Sequence, residues 1–203
     1  GSARNLALDH VKGTLLAFLD ADDILPPNSL LARVKLLHDH PEVAVADGRM
    51  IEVNADRDHT LQTFRPTFTG YPFRELVRLT GSCFGGVTWM VRWPVSPPLR
   101  FQEGTTQMED LMFLMAYSQP GRPYAHVDED VLIYRRSDKS STSDLTGMER
   151  SYRFVHHLLK QRGWAEPKDL RRFRWRSRRV MFASWLHMRL PFRAFSSLFV
   201  PFA

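Results

Sequence analysis

The sequence predicts a layered α/β fold with a helical C-terminal extension, and three observations predict it. Near the N-terminus an amphipathic segment stands between two apolar, strand-like runs, the alternation that builds layered sheets. The first of these runs lies in "TLLAFLDADDILPP", Thr14 to Pro27, and passes directly from apolar residues into three carboxylates, Asp20, Asp22 and Asp23. From about Leu145 the chain turns basic, aromatic and helical in pattern.

Composition bounds the possibilities. The chain has 203 residues, enough for one full α/β domain or one domain with an appendage, and its 43% hydrophobic content supports a real core. The single cysteine, Cys83, excludes an internal disulfide and is compatible with a reducing compartment. No apolar run is long enough to span a bilayer as a helix. The net charge of +6 is uneven: "RRFRWRSRR", residues 171–179, holds six arginines, while the acids gather at Asp20–Asp23 and Glu109–Asp110. The basic character therefore belongs mainly to the tail.

The elements follow in order. "ARNLALDHVKG" reads as a helix with Leu6, Ala7 and Val11 on one side and Gly13 as its stop. "TLLAFLD" is a short continuous apolar run, the pattern of a strand buried on both faces in a parallel-type sheet. "PPNSLLARVKLLHDHP" opens with proline in its first turn, places Leu30, Leu31, Val34 and Leu37 at helical spacing, and stops before Pro41. "EVAVADGRMIEVN" is a second strand, bent at Gly48. A short helix in "YPFRELVRLTG", a strand in "GGVTWMVRWPV", a helix in "QMEDLMFLMAYSQPG" and a strand in "AHVDEDVLIYRRS" complete the pattern. "DKSSTSD" is a polar loop.

The three acids pose the chemical question. A strand ending in a turn delivers its last side chains to the carboxyl edge of the sheet, where open α/β folds bind ligands. Carboxylates crowded there raise one another's pKa. A divalent cation would relieve the repulsion, and Mg²⁺ is commonly held by one or two carboxylates plus substrate phosphates. A D-x-D at this position therefore suggests a metal–nucleotide site. The plain alternative is that Asp22 or Asp23 caps the helix that follows. Glu109 and Asp110 have a similar double reading, as first-turn helix acids or as a functional pair.

Taken together, "ARN" at Ala3–Asn5, Gly13, "AFLDADD", "HPEVAVADG", "FQEGTTQMEDLMFLMAYSQPG" and "VLIYRRSDKSSTS" resemble, in order and spacing, the central part of family 2 glycosyltransferases. The resemblance covers about Ala3 to Ser143. It implies a GT-A-like fold and inverting transfer of a sugar from a nucleotide-sugar donor to an acceptor hydroxyl, with Mn²⁺ or Mg²⁺. It implies Asp22 as metal ligand and Asp20 as the acid facing the ribose and the metal's water shell. It further implies Asp110 as catalytic base, Arg4 and Asn5 near the donor nucleotide, and Asp23 and Glu109 as supports. Arg135 and Arg136 could meet the diphosphate, with a solvated loop as the alternative. Ser137 and Asp138 stand where the family often offers a histidine, and Asp138 is a further oxygen donor to consider.

The family's N-terminal βαβ unit would precede Ala3. The expectation is therefore an N-terminally shortened GT-A-like domain over residues 1–144, followed by a basic aromatic helical extension over residues 145–203. The alternative to an enzyme is a non-catalytic remnant that oligomerises or binds a partner. A homo-oligomer is expected, with the shortened sheet edge or the tail at the interface. The acceptor is expected to be a glycan or a lipid-linked molecule in cell-surface glycan synthesis. Arginines interleaved with Phe173, Trp175, Met181 and Trp185 suit an anionic membrane surface; packing of the tail on its own domain or a second copy is the alternative. No nucleic-acid module is recognisable. The expected location is cytoplasmic, peripheral to the inner face of the membrane. His38, His40, His156 and His157, together with Cys83, read as surface or packing residues. Trp89 and Trp93 read as core or rim aromatics, and Gly85 and Gly86 as turn residues or as space for an acceptor.

Overall fold

A computed structural model describes residues 1–105, 107–136 and 144–202. Seven helices and five strands follow one another as α1 (Ser2–Leu8), β1 (Leu15–Ala17), α2 (Ser29–Asp39), β2 (Val45–Val53), β3 (Thr60–Phe64), α3 (Phe73–Val77), β4 (Met90–Arg92), α4 (Glu109–Ser118), β5 (Tyr124–Arg135), α5 (Leu145–Gln161), α6 (Pro167–His187) and α7 (Pro191–Ser197). The polar loop "DKSSTSD", with Ser137 and Asp138, lies mostly outside the described residues.

The sheet is built around β2. β5 runs parallel along one edge of it, and β4 and β3 share the other edge, both antiparallel. β1 pairs antiparallel with β4, so β1, β2 and β5 run in the same direction. The expected parallel-type sheet is thus a mixed one. β3 was not legible as a strand, because "TLQTF" is almost wholly exposed and lacks an apolar face.

Two further expectations are corrected. The first concerns β1, which covers only three residues; of these only Leu16 is buried, and its one strand neighbour among the described residues is β4. A strand at a sheet margin does not need the double-sided burial that its apolar composition suggested. The second concerns α2, which turns the other way. Leu30, Leu31 and Val34 are exposed at 47%, 65% and 38%, while Ser29, Arg33 and Leu37 are buried. The cause is a polar cluster beneath the helix. The Arg33 guanidinium donates to the carbonyls of Ser29 (3.0 Å) and Thr88 (2.6 Å). Asp47, fully buried on β2, accepts from the Tyr124 hydroxyl (2.7 Å) and the Gly48 N–H (2.8 Å). Burial pushes the Asp47 pKa up, and the nearby Arg33 charge pulls against that. A buried charge needs such partners, and meeting that need sets which face of α2 points inward. The first helix also ends early, at Leu8 rather than at Gly13.

The main apolar core runs from Leu16 and Val45 through Phe113, Leu114 and Tyr117 to Val155, Phe173, Met181 and Trp185. Asp169, at the start of α6, ties the last helices to α3 by ion pairs to Arg74 (3.1 Å) and Arg78 (2.6 Å). Burial pushes the Asp169 pKa up, but the two arginines outweigh it and leave the carboxyl below its ordinary value.

Opposite Gly48 the β2–β5 register shifts, with residues 127–129 of β5 lying between the partners of Asp47 and Arg49. A methyl group at Gly48 would overlap Val131 and approach the Glu129 carbonyl to 3.0 Å. Glycine is needed there for close backbone approach. We expect Gly48→Ala to lower stability by about 1–3 kcal/mol, read as a fall in the urea midpoint at unchanged slope.

Candidate functional site

A cleft of about 470 Å³ opens at the carboxyl ends of β1, β2 and β5. On one wall stand Arg4, Asp20, Asp23, Glu109 and Asp110; Met50, Glu52, Gln62, Tyr134 and Arg136 line another part, and Gly85 and Gly86 a third.

Arg4 answers the question raised by the carboxylates. Its guanidinium bonds Asp20 at 2.5 Å and Glu109 at 3.0 Å, and it lies 5.5 Å from the centre of the Phe101 ring. Asn5 holds the next segment in place, donating to the Phe101 carbonyl (3.0 Å) and accepting from its N–H (2.7 Å). Asn5 is therefore a scaffold residue and does not line the cleft. Asp110 sits in the first turn of α4 and accepts from the Leu111 N–H at 2.7 Å. Burial, then the charge of Glu109, push its carboxyl up to about 6, against the pull of that N–H and of Arg4. Met108, preceding α4, takes a left-handed backbone (φ 66°), an uncommon conformation for a side chain of this size.

Asp23 accepts from the Arg135 N–H at 3.1 Å, so it ties the acidic loop to the end of β5. Burial, with Asp22 and Asp20 adding their charge, pushes it up to about 6 as well. The neighbouring bridge between Ile24 and Ile133 fixes the same junction. Asp22 is exposed and stands outside the cleft lining, as does Arg135. Asp20, Asp23, Glu109, Asp110, Arg4 and Arg136 are thus brought to one cleft.

One part of the cleft was missed from sequence. Glu52, 1% exposed, is ion-paired to Arg136 and accepts a hydrogen bond from Gln62. Arg136, expected near a diphosphate or in solvent, is exposed and also pairs with this acid. The available signal was Glu52 set between Ile51 and Val53 in the apolar second half of β2, a place where a charge needs a partner. Gly85 leaves no room for a side chain, since a methyl group there would overlap the Phe64 ring. Trp89 is fully buried and stacks on Phe113 at 5.5 Å, so it is a core residue. Cys83 is buried, and burial pushes its thiol up to about 12, as suits an inert packing residue. His156 is buried beside Phe173 and Phe202; His38, His40 and His157 are exposed.

Metal binding can be weighed on the acids themselves. Among the described residues no three His, Cys, Asp or Glu side chains converge on a preformed metal cage. The acids at the cleft are hard oxygen donors, and burial together with their mutual charge raises Asp23 and Asp110. That donor set fits a Mg²⁺- or Mn²⁺-type ion taking one or two carboxylates and completing its shell from a phosphate ligand.

The raised carboxyls have a definite pH signature. Their folded pKa values of about 6 lie above the ordinary aspartate value of 3.8. These two groups then bind more protons in the folded state than in the unfolded state between those limits, so their contribution to stability falls as pH rises from about 4 to about 6 and is flat above. Arg4→Gln removes the cation that holds Asp110 down. We expect the Asp110 pKa in that variant to move above its present value, measured by carboxyl-carbon NMR titration. An unchanged titration would mean that Arg4 does not govern it.

Comparison with known proteins agrees with this architecture. The family model for glycosyl transferase family 2 matches residues 1–92. The fold is similar to S. aureus TarS 1-349 in complex with UDP-GlcNAc, with a TM-score of 0.56 and 16% identity over 77% of this chain and 45% of that one. It is also similar to a second structure of S. aureus TarS, with a TM-score of 0.52, 16% identity and coverage of 77% of this chain and 26% of that one. This chain therefore spans less than half the length of these neighbours. The match to the glycosyl transferase family 2 model thus covers residues 1–92, and the likeness to TarS is one of a shared GT-A-like fold.

Proposed function

We propose that this chain carries the catalytic acids of a metal-assisted, inverting glycosyltransferase, which moves a sugar from a nucleotide-sugar to an acceptor hydroxyl. The observation that supports this most is Asp110, a carboxyl raised to about 6 that shares a cleft with Asp20. A carboxylate of that basicity is ionised at neutral pH, yet accepts a proton more readily than an ordinary aspartate. In this reading Asp110 takes the proton of the acceptor hydroxyl. The acceptor oxygen bonds to the anomeric carbon, the bond from that carbon to the diphosphate breaks, and its electron pair leaves with the diphosphate. Asp20 and Asp22 would hold the cation, which when bound offsets the diphosphate charge. Arg4 keeps Asp20 and Glu109 compatible with that site. Glu52, Gln62 and Arg136 offer hydrogen-bonding groups for the hydroxyls of a glycan or lipid-linked acceptor. A uridine diphosphate sugar is the first donor to try, because the TarS neighbour was solved with UDP-GlcNAc.

The alternative is a binding chain without transfer activity. It draws on the single strand neighbour of β1 among the described residues. Calorimetry separates the two. We expect UDP to bind more tightly with Mn²⁺ than without it, and Asp22→Ala to abolish that coupling; equal coupling in the variant would remove Asp22 from the site.

Hydrolysis of UDP-GlcNAc, with water in place of the acceptor, tests the base. We expect Asp110→Asn to keep donor binding and lose about 10²–10⁴-fold in turnover. The parent rate should rise with pH through about 6, following ionisation of Asp110. A loss below roughly tenfold would make Asp110 a helix-start acid only.

A further inference from the structure

The end of the chain carries a surface that the cleft does not explain. Phe192, Phe199 and Phe195 are exposed at 89%, 80% and 60%, and Met188, Trp175 and Leu190 at 55%, 53% and 43%. The exposure is built in. α7 folds back on α6 through an edge-on contact of Phe182 with Phe195 (5.6 Å), and Ala194 and Ser197 are the residues it buries. Arg178 donates to the Val200 carbonyl at 2.9 Å, which fixes the segment after α7. The large apolar side chains are therefore held outward on an anchored element.

Charge decides what suits this surface. From Leu170 to the last residue the sequence has eight arginines and no aspartate or glutamate. Arg171, Arg172, Arg179, Arg189 and Arg193 are all exposed. Trp175 lies under the Arg179 guanidinium at 4.6 Å, an arrangement of aromatic and cation on one face. A second copy of the same surface would bring two sets of arginines together with no acid on either side, which opposes self-association. A neutral apolar partner would leave the arginines without counter-charge. An anionic bilayer takes both components, the phenyl rings at the acyl boundary and the guanidinium groups among the phosphates. No helix among the described residues is long and apolar enough to cross a membrane, so the contact is interfacial.

We propose that the tip formed by the end of α6 and by α7 docks on an anionic lipid surface, with Phe192, Phe195 and Phe199 inserted and Arg189 and Arg193 on the headgroups. This is independent of the chemistry of the cleft. The test is co-sedimentation of the whole chain with vesicles of phosphatidylcholine alone and of phosphatidylcholine mixed with phosphatidylglycerol. The expected result is binding to the mixed vesicles, with a blue shift of Trp175 emission that Trp175→Phe removes. Phe192→Asp with Phe199→Asp should weaken partitioning by about a hundredfold or more. Arg189→Gln and Arg193→Gln should each weaken it by about fivefold. The mutated side chains are exposed, so an unchanged circular-dichroism melting temperature serves as the folding control. No binding to mixed vesicles, or binding that the double phenylalanine variant leaves intact, would overturn the proposal. So would a dimer in light scattering that the same double variant dissociates, because a second copy would then be the occupant of this surface.

Discussion

Three carboxylates from two distant parts of the chain, Asp20 after β1 and Glu109 and Asp110 at the start of α4, share one cleft with Arg4, which pairs with Asp20 and Glu109. Like charges about 4 Å apart repel by roughly 4 kcal/mol at an effective dielectric near 20. Arg4 opposes that repulsion by bonding Asp20 and Glu109 together, across sequence separations of 16 and 105 residues. The guanidinium fork sends one nitrogen to each carboxylate in a fixed planar geometry, which the ammonium of a lysine does not impose. The placement of α1 follows, since Arg4 must face the cleft while Asn5, the next residue, is tied to Phe101. One short helix thus sets both the charge balance of the site and the position of the segment beside it.

Below the acids lies an apolar floor that makes the charge arrangement rigid. Phe101 stacks on Phe113 at 4.2 Å, Trp89 stacks on the same ring at 5.5 Å, and Phe18 meets all three edge-on. Phe113 belongs to α4 and Phe18 immediately follows β1. The two elements that present the acids are therefore locked to each other by aromatic packing, and such pairs contribute about 0.5–1.5 kcal/mol each beyond their buried area. The site tolerates raised carboxyl pKa values because the scaffold below it cannot relax to separate them.

Much of this was legible in the sequence, and the failures share a cause. α4 and β5 were plain because most of their apolar residues are also their buried residues, and β2 because its valines, Ala46 and Met50 are buried beside two acids. The acids were found because three charges after an apolar run need an explanation. α2 was misread because counting apolar residues cannot foresee a buried arginine: Leu30, Leu31 and Val34 outweighed Arg33, yet Arg33, near Asp47, is the residue inside. Glu52 escaped for the same reason, since an acid in a strand reads as solvent-facing until Arg136 and Gln62 arrive from remote positions. β3 has no apolar face and forms by backbone pairing to β2, which periodicity does not register.

From Leu170 onward the chain carries eight arginines, and guanidinium does not titrate in the biological range. These eight positive charges are permanent, whereas Asp23 and Asp110 in the cleft change state near pH 6. The two ends of the molecule consequently answer to different solution variables. Acidification alters the cleft and leaves the tail's arginine charge untouched. Added salt does the reverse: it screens exposed arginines over a Debye length of about 8 Å at physiological ionic strength and acts less on half-buried acids. The proposed attachment through the tail would therefore respond mainly to ionic strength, and the proposed proton transfer in the cleft mainly to pH.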